Sequence, residues 1–181
     1  MTLPLALLAP SIDGQVTDFF EWRGAGRIKT QPPLGAMWKA EGVLTDIQFG
    51  WSLDQLYLRL DPDEQSLPRQ AGLTVELQLQ KTEDVYYLSF SLEPSGSIQF
   101  LLSQKLANGH RQDIGSYQSI CHQKIVELAV PFKDVQLTAG QEFHMTILVL
   151  EHRLEVARYP HQRPAILTVP GPDFEAGLWR V

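Results

Sequence analysis

The polar and apolar positions of this chain alternate with a period of two. In LTVELQLQ, Leu73, Val75, Leu77 and Leu79 fall on one face, and Thr74, Glu76, Gln78 and Gln80 on the other. That spacing belongs to a half-buried antiparallel strand, because successive side chains point to opposite sides of a sheet. QLYLRLD repeats the pattern, with Leu56, Leu58 and Leu60 inward and Tyr57 and Arg59 outward. VYYLSFSL, SIQFLLS, KIVELAV, FHMTILVLE and AILTVP add short runs rich in β-branched and aromatic residues.

Turn chemistry separates these runs. Asp61-Pro62-Asp63, Glu93-Pro94-Ser95-Gly96, Asn108-Gly109 and Ala139-Gly140 each sit between two strand-like stretches. Asn108-Gly109 has the composition of a two-residue hairpin turn. PFKDVQL predicts a single helical turn after Pro131, and no longer window keeps a helical stripe. The expectation is an all-β fold, a two-sheet antiparallel β-sandwich of immunoglobulin-like type with little helix. It occupies 1–181 as one domain, with 1–10 as a lead-in. Phe174, Leu178 and Trp179 in the tail 171–181 are expected to pack on the sandwich.

The totals agree with that picture and exclude some functions. At 181 residues, a chain buries roughly 70% of its unfolded surface and needs no disulfide to hold a core. The 15 basic residues against 21 acidic ones leave a charge of −6, with the cations scattered singly. Nucleic-acid binding needs a basic stripe, so it is not expected. Cys121 is the only cysteine, which excludes an intrachain disulfide and a thiolate zinc cluster. MTLPLALLAP lacks a cationic start and is too short to span a bilayer. The chain therefore reads as soluble and cytoplasmic, without a membrane partner.

Candidate chemistry is sparse. Gly24-Ala25-Gly26 lacks the third glycine and the lysine of phosphate-cradling loops, so it reads as a close bend. The five histidines show no zinc-like spacing. Asp13, Asp18 and Asp46 are the one oxygen-rich set for calcium, although capping of Asx turns accounts for them more simply. Cys121 and His122 are neighbours on a strand and face opposite ways, which argues against a nucleophile–base couple. Glu21, Glu76, Glu127 and Glu151 are expected on solvated strand faces, where no pocket raises a pKa for acid catalysis. Among the aromatics, Trp51 has core-like neighbours. Trp22, Trp38 and Tyr117 are the candidates for stacking on sugar rings.

The ordered motifs SIDGQVTDFFEWRGAGRI, GAMW, IQFGWSLDQLYLRLD, VELAVPFKDVQLTAGQEFHMTILV and LTVPGPDFEAGLWRV carry a resemblance. Together they resemble the C-terminal β-sandwich of family-57 glycoside hydrolases, a module similar to family-9 carbohydrate-binding and DOMON-like domains. The resemblance implies a non-catalytic module of an α-glucan-active enzyme, whose catalytic carboxylates lie in a separate barrel. It implies an α-glucan or oligosaccharide ligand, the barrel as partner, bound calcium in some members, and Trp22 and Trp38 as sugar-stacking positions. The alternative is a structural domain that docks on the barrel without binding sugar.

Overall fold

In the computed structural model, residues 1–18, 20–31, 43–63, 72–92 and 96–178 are described. Their strands are β1 (Gly26–Ile28), β2 (Leu44–Trp51), β3 (Gln55–Pro62), β4 (Leu73–Lys81), β5 (Asp84–Ser91), β6 (Gly96–Ser97), β7 (Phe100–Lys105), β8 (Arg111–Tyr117), β9 (Ile120–His122), β10 (Val126–Pro131), β11 (Glu142–Glu151), β12 (Leu154–Tyr159) and β13 (Ala165–Thr168). One sheet has the order β1-β2-β3-β10-β9-β6 and the other β12-β11-β4-β5-β7-β8, with β13 also pairing β11. Every registered pair is antiparallel. The molecule is an all-β sandwich.

The alternation read from the sequence places the core. Leu56, Leu58 and Leu60 of β3 face Leu73, Val75, Leu77 and Leu79 of β4 across the interior, together with Ile47, Phe49, Leu128, Phe143, Met145 and Ile147. All are at most 5% exposed. PFKDVQL forms a short 3-10 turn at Phe132–Val135, with Phe132 and Val135 buried. The Asn108-Gly109 loop is longer than a two-residue hairpin. Lys105 pairs with Arg111, so residues 106–110 form the loop, closed by Leu106 N–H to the His110 carbonyl. Gly109 takes the left-handed φ of +82° that this loop requires.

Of the tail, the described residues reach 178, and Phe174 and Glu175 touch the body of the sandwich. Helix α1 (Phe174–Leu178) sets the Phe174 ring edge-on to Trp51 at 5.6 Å, and the Leu7 amide donates to Glu175 at 3.2 Å. Trp179 lies outside the described residues.

Residues 1–18 and 20–25 do more than lead in. They form a strap over the outer face of the first sheet. Thr2 pairs with Arg27, Leu5 N–H donates to Gly24 O, and Leu8 N–H donates to Trp51 O. Beneath the strap lies a second apolar cluster of Leu8, Trp22, Tyr57 and Ala129. Tyr57 does point outward from β3, as its parity requires, but the strap leaves it only 8% exposed. Gly26 lets this layer approach closely: a Cβ there would lie 2.7 Å from both the Thr2 carbonyl and the Phe49 ring.

Candidate functional site

Under the strap, the cross-strand row of the first sheet carries Gln48, Arg59, Glu127 and Cys121 side by side. Glu127, expected on a solvated face, is fully buried because the strap covers it. Its Oε1 accepts from Trp22 Nε1 at 2.8 Å, and its Oε2 from Gly14 N–H at 3.0 Å and Asp13 N–H at 3.2 Å. Burial pushes the Glu127 carboxyl above its ordinary range, against the pull of these donors. A buried, up-shifted carboxyl is one signature of an acid catalyst. Here the strap seals the group from solvent and its oxygens are committed to structural donors, so it acts as a latch.

The Asp13-Gly14 turn serves that latch. Gly14 has φ +73°, and a Cβ would lie 2.8 Å from the Gln123 amide nitrogen. Asp13 and Asp18 each cap their own turn, accepting from Gln15 N–H and Phe20 N–H at 2.8 Å. Asp46 instead accepts from Gln48 Nε2 at 2.8 Å and lies 3.7 Å from Arg27. The three aspartates are thus engaged separately, and no cluster of three or more His, Cys, Asp or Glu fit for a metal occurs among the described residues.

Of the three aromatic candidates, Trp22 is corrected by the structure. Its ring is 6% exposed, so it offers no face to a sugar; the strap has made it a core residue. Trp38 lies outside the described residues. Tyr117 is half-buried and stacks parallel on Phe100, with centroids 5.1 Å apart and planes 6° apart. One face of its ring is therefore taken. Burial, and then Asp134, push its hydroxyl pKa upward. Trp22 and Tyr117 are not brought together. Cys121 is half-buried, with Sγ 3.1 Å from the Asp13 carbonyl, and burial raises its pKa, which suits an unreactive thiol.

The open face of the second sheet carries a different constellation. Thr74, Glu76 and Gln78 of β4, Leu148 and Leu150 of β11, Arg111 of β8, and Arg153 and Glu155 beside the β11–β12 turn line a groove of about 700 Å³. Arg111 stacks over the Tyr87 ring at 3.5 Å from its centroid and makes a two-pronged ion pair with Glu76; the NH2–Oε1 contact is 3.2 Å. Gln78 Nε2 donates to the same Glu76 Oε1 at 2.9 Å. Hydrogen bonding to Glu76 holds Arg111 still further into its charged range.

β8 and β4 are separated by β7 and β5, which on a flat sheet puts them about 14 Å apart at ordinary strand spacing. Arginine and glutamate side chains span that distance only when they lie along the sheet, and here they touch. The groove forms a trough on the outer face, and Arg111 closes over Tyr87, leaving it 9% exposed.

Glu76 was expected in solvent and is 4% exposed. Nothing in the spacing of Glu76, Tyr87 and Arg111 signals their meeting, since it depends on strand order. The one usable sign is that all three sit at polar-face positions of a strand or at its end. No known family model matches this chain, and no curated protein matches it as a relative.

Proposed function

We propose that this chain is a non-catalytic binding module whose ligand is a hydroxyl-rich oligosaccharide of the α-glucan type, held in the trough of the second sheet. The observation that carries the reading is the Tyr87–Arg111–Glu76–Gln78 stack. It presents a guanidinium and an amide, both fixed by the buried Glu76 carboxylate, with the half-buried Leu150 as an apolar neighbour. Sugars need that mixture: convergent polar groups for hydroxyls and apolar surface for C–H faces. The carboxylates of the trough are engaged by arginines, Glu76 by Arg111 and Glu155 by Arg158 at 2.7 Å. Neither is poised as the proton donor that glycoside cleavage requires. The resemblance to family-57 modules supports the same ligand class, with a catalytic barrel as the partner it implies.

Calorimetric titration with maltoheptaose tests this. The expected Kd is on the order of 1 mM, weakened about tenfold or more by Arg111→Ala, since charge-assisted hydrogen bonds are lost. No heat of binding at tens of millimolar sugar would remove the proposal.

A second reading, docking on another protein domain, has its own observation. Leu3, Leu5 and Phe20 on the strap are 54%, 69% and 61% exposed. Under that reading the strap, not the trough, is the working surface, and maltoheptaose gives no heat while Leu5→Ser weakens association with the partner barrel.

A further inference from the structure

A second cavity, of about 500 Å³, lies at one end of the sandwich between β1 and the β12–β13 connection. Its lining includes Lys29, His161 and Arg163, two amides (Gln31 and Gln162), and Pro160 as an apolar wall. The chain holds 21 acidic residues against 15 basic ones, so a cavity taken at random would show more carboxylates than cations. Among the described residues, none of those lining this one is a carboxylate. Among the described residues, neither Lys29 nor Arg163 has an ion pair.

The cations stand on fixed supports. Ile28, next to Lys29, is 2% exposed in the core and paired with Ile47 of β2. Tyr159, two residues before His161, is 1% exposed, and the imidazole leans on its ring at 5.3 Å. His161 Nε2 is 3.0 Å from the Thr30 carbonyl. A carbonyl only accepts, so Nε2 carries a proton, and this bond ties the β12–β13 connection to the end of β1.

We propose that this cavity binds the oxyanion group of a small organic molecule, a phosphate monoester, with Lys29 and Arg163 as the charge partners and His161 beside them. Guanidinium and ammonium groups bind phosphate through charge-assisted hydrogen bonds. The volume exceeds what a bare phosphate fills, and Pro160 supplies an apolar wall for a carbon skeleton. The site is independent of the trough and of its sugar.

The test is a titration of the full chain with inorganic phosphate and, separately, with glycerol 3-phosphate, following the His161 ring signals by NMR with sodium chloride as the control. The expected result is a saturable shift with both phosphates, tighter for the organic one, and absent with chloride. The Lys29→Ala, Arg163→Ala double variant should weaken it at least tenfold with an unchanged melting temperature, because both side chains are exposed. Arg111→Ala should leave it intact. A shift that chloride reproduces, or that survives the double variant, overturns the proposal, as does no shift with either phosphate.

Discussion

The indole N–H of Trp22 donates to the carboxylate of Glu127 at 2.8 Å, joining positions 105 residues apart in the chain. Trp22 belongs to the strap and Glu127 to β10, so this bond, with those from Gly14 and Asp13, fastens one layer to the other. Trp22→Phe keeps much of the ring's packing and deletes the donor. Because a buried charged acceptor loses a partner, the expected loss is about 1–3 kcal/mol, read from urea unfolding. An unchanged midpoint would mean that the bond contributes nothing net.

The pH dependence of the latch follows from the raised pKa of Glu127. In the unfolded chain the group titrates near the ordinary glutamate value of about 4.3; in the folded chain it titrates higher. Between the two values the folded state binds the extra proton, so the stabilisation from this group is full at low pH and is lost as pH rises through the folded pKa. Glu127→Gln removes the titration. The stability of the native chain minus that of Glu127→Gln should therefore fall as pH rises from about 4.3. A difference that rises with pH would reverse the assigned cause.

Gly26 tests how tightly the strap is seated. In Gly26→Ala the new methyl meets the Thr2 carbonyl and the Phe49 ring, each at 2.7 Å, and Phe49 is fully buried with no room to yield. The expected cost is about 1–3 kcal/mol, as for other overpacked sites. Gly109→Ala makes a comparison without crowding, since nothing lies within 4 Å of its added Cβ and only the left-handed φ of +82° is strained.

Arg111 and Glu76 should be coupled. Glu76 is buried while Arg111 remains half in water, at 46% side-chain exposure. A double-mutant cycle with Arg111→Ala and Glu76→Gln should give a coupling of about 1 kcal/mol, between the values for exposed and buried pairs. Each single variant should also weaken maltoheptaose. Loss of stability without loss of sugar affinity would reduce the pair to a structural clamp.

What the sequence made legible was whatever depends on local periodicity. Leu56, Leu58 and Leu60, or Val75 and Leu77, reach the core because a strand's parity alone sends them there. Strand parity also put Tyr57 and Glu127 on the outer face, and that was correct. Their burial was hidden, because it comes from the strap, a segment with no periodicity of its own. Trp22 looked like a sugar platform for the same reason: only the fold reveals that its N–H has a buried acceptor. Glu76, Tyr87 and Arg111 meet through strand order, to which a linear pattern is blind. The β8 stretch RQDIGSY, exposed or half-exposed at every position, carries no apolar alternation and gave no strand signal.

The most direct measurement is an ¹⁵N-resolved NMR titration of the chain with maltoheptaose. The account predicts saturable shifts centred on the backbone and side-chain signals of Glu76, Gln78, Arg111, Leu148 and Arg153, with the Trp22 indole signal unmoved. No shift at tens of millimolar sugar, or shifts centred on Leu5, Phe20 and Trp22 of the strap, would contradict it.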